Sequence, residues 1–325
     1  MTIYSTDREI LQTAIDWLEL GHEVALVTVA KTWGSSPRPR GSMLVMRDDG
    51  IHAGSVSGGC VEEDLVSRYK NRELTDHFPN VINYGIDREN ALRFGLPCGG
   101  RLELVVEQLE SPEPLKSILT KIKIGQLVVR RLCMNTGEVS LHSASQVTDF
   151  HYSDDEMIKV FGPRWHMLLI GAGHLSRYVT NIALMLDYNV TVCDPREEYK
   201  TGWDLENTNF IHIMPDDAVR GIARHERSIV ITLAHDPKLD DMALMEALLS
   251  DIFYVGALGS KRNNDQRRER LLQLGVNPQQ LAKLHAPVGL EIGSHTPPEI
   301  AISIMAEVTA ARNGVFKKAT SAANV

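Results

Sequence analysis

Apolar positions along the chain keep two rhythms, a helical one and a strand-like one, and the two alternate. Ile10, Leu11, Ala14, Ile15 and Leu18 recur at helical spacing behind Thr6-x-x-Glu9, which reads as a capping box. Gly21 follows where a helix C′ residue is expected. Val24–Val29 is a short apolar run of strand length, and Met43–Met46 and Ile51–Ala53 predict two more strands joined by the hairpin signal Asp48-Asp49-Gly50. Trp33–Gly41 cannot be regular, because Pro37 and Pro39 remove donors and fix φ. Val61–Tyr69 and Leu115–Ile122 read as helices. Val81–Gly85, Arg101–Glu107, Leu127–Leu132 and Glu138–Leu141 read as strands. Ser143–Glu156 is polar and poor in large apolar residues, so it reads as a connection between domains. The expected division is an N-terminal mixed α/β domain over residues 1–155 and a second domain over 156–325.

The second domain opens on the strand Trp165–Ile170, which runs into Gly171-Ala-Gly-His-Leu-Ser176 and then a helix through Ile182, Ala183 and Leu186. A second strand, Asn189–Cys193, ends at Asp194. A glycine turn at a helix N-terminus, with a carboxylate roughly 20 residues on, is the βαβ dinucleotide pattern. Ser176 stands in place of the third glycine. Asp194 would read a ribose; Arg196, two residues later, could instead accept a ribose phosphate. Strands at 209–214, 228–234 and 253–257 alternate with helices at 217–223, 239–249 and 264–274. Thr296-x-x-Glu299 caps a last helix. This alternation predicts a Rossmann-like domain with a parallel sheet covered on both faces. Gly171–His174, His235-Asp236 and Gly259-Ser260-Lys261 fall at the carboxyl ends of strands, where such sheets hold ligands.

Composition narrows the class. A length of 325 residues suits two domains, and 43% apolar with 23% charged residues is a globular balance, not a disordered one. The net charge of −8 lacks the basic footprint of a nucleic-acid binder, so no nucleic-acid partner is expected. No apolar run reaches membrane length, and no basic-then-apolar leader opens the sequence. Cys60, Cys98, Cys133 and Cys193 form no CxxC pair and read as free thiols. A cytoplasmic protein with no membrane partner is expected.

Several residues could carry chemistry, each beside a plainer reading. The loop Gly54–Cys60 opens directly onto a helix, a geometry that suits an anion. Arg38 and Arg40 flank prolines and offer planar forks for a phosphate or a pterin edge; the alternative is a solvated loop. Cys98 precedes two glycines and offers a soft metal ligand, or it is a small buried residue. Cys60 begins a helix, whose dipole would stabilise a thiolate, while Cys133 and Cys193 read as core strand residues. His174 either meets a ligand or faces solvent. His235-Asp236 is either catalytic or a loop cap. Arg262, Arg267, Arg268 and Arg270 with Glu269 read as a solvated helix face. No HExxH, GxSxG or Walker A motif is present, which points towards a binding protein for a large cofactor.

One family shares these motifs in this order. The chain resembles the XdhC/CoxI family, accessory factors of xanthine dehydrogenase and related molybdenum hydroxylases. The matching stretches are Gly34-Ser-Ser-Pro-Arg38, Gly54-Ser-Val-Ser-Gly-Gly-Cys-Val-Glu62, Cys98-Gly-Gly100, Gly171-Ala-Gly-His174, Asp194-Pro-Arg196, Gly256-Ala-Leu-Gly-Ser260, Ala286-Pro-Val-Gly-Leu-Glu-Ile-Gly293 and Thr296-Pro-Pro-Glu-Ile-Ala301. The resemblance implies an accessory protein that binds molybdenum cofactor, as molybdopterin or its cytosine dinucleotide form, and delivers it to an apo molybdenum hydroxylase. A chaperone of this kind needs no catalytic residues. The implied cofactor-binding residues are Ser35, Ser36, Arg38, Arg40, Ser57, Gly58, Gly59, Cys60, Cys98, Gly99, Gly171, Gly173, His174, Asp194, Arg196 and His235, with Cys98 as the metal ligand. Cys98 and Arg38 are expected to face the Gly171 loop across a cleft between the domains. A cysteine desulfurase is the second expected partner, and a homodimer the expected assembly. The competing reading is an NAD(P)-dependent oxidoreductase that uses the Rossmann-like half; a third is a purely structural component of a dehydrogenase complex.

Overall fold

The structure is a computed structural model and describes residues 6–34, 38–74, 77–85, 101–144, 149–163, 165–222 and 226–315. Two compact units divide the chain, Tyr4–Pro163 and Arg164–Val325, the latter together with Met1–Ile3.

In the first unit, α1 (Thr6–Glu19) precedes β1 (Val24–Trp33), β2 (Met43–Arg47), β3 (His52–Gly54), α2 (Cys60–Lys70), β4 (Asn80–Tyr84) and β5 (Arg101–Leu109). These strands form an antiparallel sheet in the order β3-β2-β1-β5-β4. Alternate residues of β1 serve opposite faces. Ala25, Val27 and Val29 pack with Val61 and Leu65 of α2, while Val24 and Leu26 pack with Ile10, Leu11 and Ala14 of α1. Both faces are therefore buried, which explains why β1 reads as a continuous apolar run. The chain continues through α3 (Glu113–Lys123), β6 (Leu127–Cys133), β7 (Val139–Ala144), β8 (His151–Tyr152) and β9 (Glu156–Phe161), and the four strands form a second sheet, β7-β6-β9-β8. A buried fork from Arg130 on β6 to Glu107 on β5, at 3.1 and 2.6 Å, ties the two sheets together.

The stretch 143–156 therefore does more than connect: His151 pairs with Ile158, and Glu156–Phe161 pairs with Val128–Cys133. Polar composition hid β8, and a lysine interrupts the apolar run of β9. Its Lys159 is buried and bonds Asp7 at 3.0 Å and the Gly41 carbonyl at 2.6 Å.

The second unit runs β10 (Trp165–Ile170), α4 (His174–Met185), β11 (Tyr188–Cys193), α5 (Glu197–Lys200), β12 (Thr208–Ile211), α6 (Pro215–Ile222), β13 (Ser228–Thr232), α7 (Pro237–Leu249), β14 (Tyr254–Ala257), α8 (Lys261–Gln273), α9 (Pro278–Leu281), β15 (Leu284–His285) and α10 (Pro297–Arg312). Its sheet is parallel, in the order β12-β11-β10-β13-β14-β15. Met167 and Leu169 pack towards α4 and α10, and Leu168 and Ile170 towards α6, α7 and α8. Thr296 and Glu299 form the expected capping box of α10. In register, Ile170 lies opposite both Cys193 and Thr232. The ends of β10, β11 and β13 thus coincide, and the Gly171, Asp194 and Ala234 loops leave the sheet along one edge.

Candidate functional site

At that edge the glycine loop is built tightly. Gly171 has φ of 98°, and a Cβ there would lie 2.5 Å from Ala234 Cα, so no other residue fits. Its amide donates to the Cys193 carbonyl at 2.8 Å. Its own carbonyl accepts the Ser176 hydroxyl at 2.5 Å, and Ser176 is fully buried. A serine at the third motif position therefore fastens the helix to the loop. Gly173 differs. It precedes α4 with an ordinary φ of −73°, no side chain caps the helix there, and a Cβ would meet nothing within 4 Å. Internal packing explains Gly171 and leaves Gly173 unexplained. His174 is exposed at the start of α4, its ring edge-on to Tyr178.

Asp194 lies at the tip of β11 and is fully buried. Its carboxylate accepts from the amides of Ala172 at 2.8 Å and Arg196 at 3.1 Å, and from Arg196 Nε and Nη2 at 2.9 and 2.8 Å. Burial pushes its pKa up, but these bonds hold it below the ordinary carboxylate value. The Arg196 guanidinium lies 4.1 Å over the Tyr199 ring. His235, exposed with φ of 57°, stands just beyond the Ala234 that packs on Gly171. Its neighbour Asp236 is a helix cap, accepting from the Lys238 amide at 2.9 Å.

The loop after β14 is held from beneath. Arg267 donates to the Leu258 carbonyl at 2.9 Å and to Asp240 at 3.0 Å, and it also bonds Asn264, which holds the Gly259 carbonyl at 3.0 Å. Burial pushes Asp240 up to about 6 despite Arg267. Arg270 bonds Asp241 at 2.6 Å, and Arg268 donates to the carbonyls of Leu281, Leu284 and Ala286. The expected solvated face is thus mostly a set of anchors, with only Arg262 and Glu269 of that group exposed. Polar spacing alone cannot separate the two cases; the signal was the carboxylate pair Asp240-Asp241 one helix earlier.

In the first unit, the loop expected to hold an anion already holds one of its own. The buried Glu62 accepts from Ser55 Oγ at 2.8 Å and from the amides of Val56, Ser57, Gly58 and Gly59 at 2.9, 2.7, 2.9 and 2.8 Å, and Ser57 Oγ also donates to it. Burial opposes its charge, but the Ser57 hydroxyl and the Gly58, Ser57 and Gly59 amides hold it well below the usual carboxylate range. The nest is real, and Glu62, not an external anion, fills it. Arg38 Nε reaches Ser55 Oγ at 3.2 Å, so Arg38 and the Ser57–Cys60 stretch share one surface, with Cys60 exposed at the first position of α2. Arg40 is exposed, but its Nε donates to the Ala30 carbonyl at 3.1 Å and its guanidinium lies over Phe150.

Ser35, Ser36, Cys98 and Gly99 lie outside the described residues, so the expected metal ligand and its cleft do too. Cys60, Cys133 and Cys193 are free thiols. Cys133 is half-exposed rather than core, and the Thr136 hydroxyl and the amides of Asn135 and Thr136 lower its pKa. Cys193 is buried, and burial raises it to about 12. Among the described residues no group of His, Cys, Asp or Glu could hold a metal ion, and no helix is long and apolar enough to cross a membrane.

Fold and site together define a two-unit α/β protein whose C-terminal unit is a Rossmann domain with its glycine loop at the switch point between β10 and β13. Residues 167–308 match the family described as the XdhC Rossmann domain, and residues 17–84 match the XdhC and CoxI family. The chain belongs to the XdhC and CoxI family. It is 26% identical to an Escherichia coli protein named molybdenum cofactor insertion chaperone PaoD, over 94% of this chain and 88% of that one. It is equally identical to a Bacillus subtilis protein named as a probable subunit of xanthine dehydrogenase, over 92% of this chain and 96% of that one. A crystal structure from Bacillus halodurans, described as a xanthine dehydrogenase, superposes with a TM-score of 0.74 at 25% identity, covering 99% of this chain and 98% of that one.

Proposed function

We propose that this chain binds molybdenum cofactor, as molybdopterin or its cytosine dinucleotide form, and hands it to an apo molybdenum hydroxylase such as a xanthine dehydrogenase. The observation that carries this reading is a contrast between two loop-to-helix junctions. At α2 the amides are filled by Glu62. At α4 no side chain caps the helix, its first turn carries no acidic residue, and the space in front of Gly173 is open. A phosphate of the cargo fits that second junction, where the helix dipole favours an anion. His174 and His235 flank the loop, and Arg38 with Cys60 offers a donor and a thiol on the first unit. Cys98 is the soft ligand for the metal. The relatives' names, a cofactor insertion chaperone and a component of xanthine dehydrogenase, support the client class. In this reading a cysteine desulfurase sulfurates the cofactor while it is held, the chain acts in the cytoplasm, and it works as a homodimer.

The test is to purify the chain from cells with and without molybdenum-cofactor synthesis, then measure molybdenum by mass spectrometry and pterin by fluorescence after oxidation. Molybdenum and pterin approaching stoichiometric amounts, and activation of an apo-hydroxylase by the loaded chain, are expected. A chain free of both that instead turns over NAD(P)H would overturn the reading in favour of an oxidoreductase.

A further inference from the structure

At the tip of its second strand a Rossmann sheet ordinarily presents a carboxylate to a ribose diol. Asp194 occupies that place but has nothing left to offer. A carboxylate has about four lone-pair sites. Oδ1 of Asp194 accepts from Arg196 N and Nε, and Oδ2 from Ala172 N and Arg196 Nη2. The side chain is also fully buried, so a diol could neither reach it nor bond to it.

What faces outward is Arg196. Its inner edge is locked by Asp194, its face lies 4.1 Å over Tyr199, and its side chain keeps 28% of its surface exposed. The remaining guanidinium donors form a planar fork, oriented in advance, which matches a phosphate oxygen pair. The other carboxylate that acts on Arg196 is Glu198, which is exposed and so screened by water, while Glu197 is engaged by His212 at 3.0 Å and Lys200 at 3.6 Å. Asp194 offsets much of the arginine's charge, so the selectivity rests on the directed donors, which a lysine could not reproduce.

We propose that Arg196, clamped by Asp194 and stacked on Tyr199, is the specificity residue of this unit and selects a phosphomonoester over a ribose diol. The inference rests on the ligand-binding role given above to the Gly171 loop. The phosphomonoester has two candidate sources, the 2′-phosphate of a dinucleotide or the terminal phosphate of molybdopterin lacking the cytidine.

Two measurements separate the sources. In calorimetric titrations of the full chain, NADP+ is compared with NAD+. In copurification, hosts making molybdopterin only are compared with hosts making both pterin forms. Each is repeated with Arg196→Lys, whose melting temperature is checked against wild type, and with Tyr199→Leu. A preference for NADP+ of about tenfold, lost in Arg196→Lys, assigns the phosphate to a ribose. Retention of the monophosphate pterin over the cytidine form, lost in the same variant, assigns it to molybdopterin. Tyr199→Leu should weaken whichever preference is seen. Equal affinity for both dinucleotides together with equal retention of both pterins overturns the inference and leaves the chaperone reading standing. Absence of pterin with a clear NADP+ preference does the reverse. Absence of all binding overturns both.

Discussion

Replacing Glu62 tests the central local feature of the first unit, a loop folded around its own anion. In Glu62→Gln the carboxylate's charge is lost, and an amide NH2 must face N–H and O–H donors that now have no acceptor. Six hydrogen bonds end on Glu62, from Ser55 Oγ, Val56 N, Ser57 N, Ser57 Oγ, Gly58 N and Gly59 N. Hydrogen bonds to a charged group are worth about 1.5–3 kcal/mol each in net terms. Simple addition overestimates the loss, because Ser57, Gly58 and Gly59 are partly or well exposed and water replaces their partner. Only Val56 is fully buried, and its stranded amide costs about 1–3 kcal/mol. Allowing a smaller loss at the other donors gives about 3 kcal/mol, or a fall of about 6–12 °C in the melting temperature of a unit of this size. The pH dependence has a fixed sign. The folded pKa of Glu62 lies below its unfolded value of about 4.3, so its contribution is complete above that value and fades as pH falls towards the folded one. Wild type and Glu62→Gln should therefore converge in acid. Calorimetric melts at pH 7 and pH 3.5 measure this. A shift under 2 °C at pH 7, or a gap that widens in acid, would refute the reasoning.

Further outcomes distinguish packing from binding. Gly171→Ala should destabilise the second unit by about 3 kcal/mol in thermal melts, since its Cβ meets Ala234 backbone and its φ is left-handed. Gly173→Ala should leave the melt unchanged yet reduce copurified pterin severalfold; unchanged pterin would remove the reason given for that glycine. Arg267→Ala should cost about 3–5 kcal/mol by denaturant titration, because it leaves Asp240 buried without its partner. Cys98→Ser, which removes little volume, should keep its melting temperature within a few degrees and lose most of the molybdenum, while Cys133→Ser retains it. Equal metal in both would show that Cys98 is not the ligand.

Helices and strands were legible in the chain because their defining bonds and spacings are local. The apolar period of α1, the capping box at Thr296 and Glu299, and the Gly171 turn between β10 and α4 all depend on residues within a few positions of one another. The parallel order of the second unit followed from strand–helix alternation, since crossovers of that length force neighbouring strands to run the same way. Polar side chains were another matter. The loop before α2 reads as a site for an outside anion until Glu62, in the first turn of that helix, is seen to fill it. Arg267 reads as solvated until α7 brings Asp240 beneath it. Asp194 keeps its motif position, but whether it serves a ribose or Arg196 depends on where the Ala172 amide and the Arg196 fork close. The strand at 156–161 was hidden in the same way, since its partner β6 lies some twenty residues or more away, and 151–152 pairs only with that strand. Burial of a charge is decided by groups distant in sequence, because only the folded chain brings them close enough to replace water.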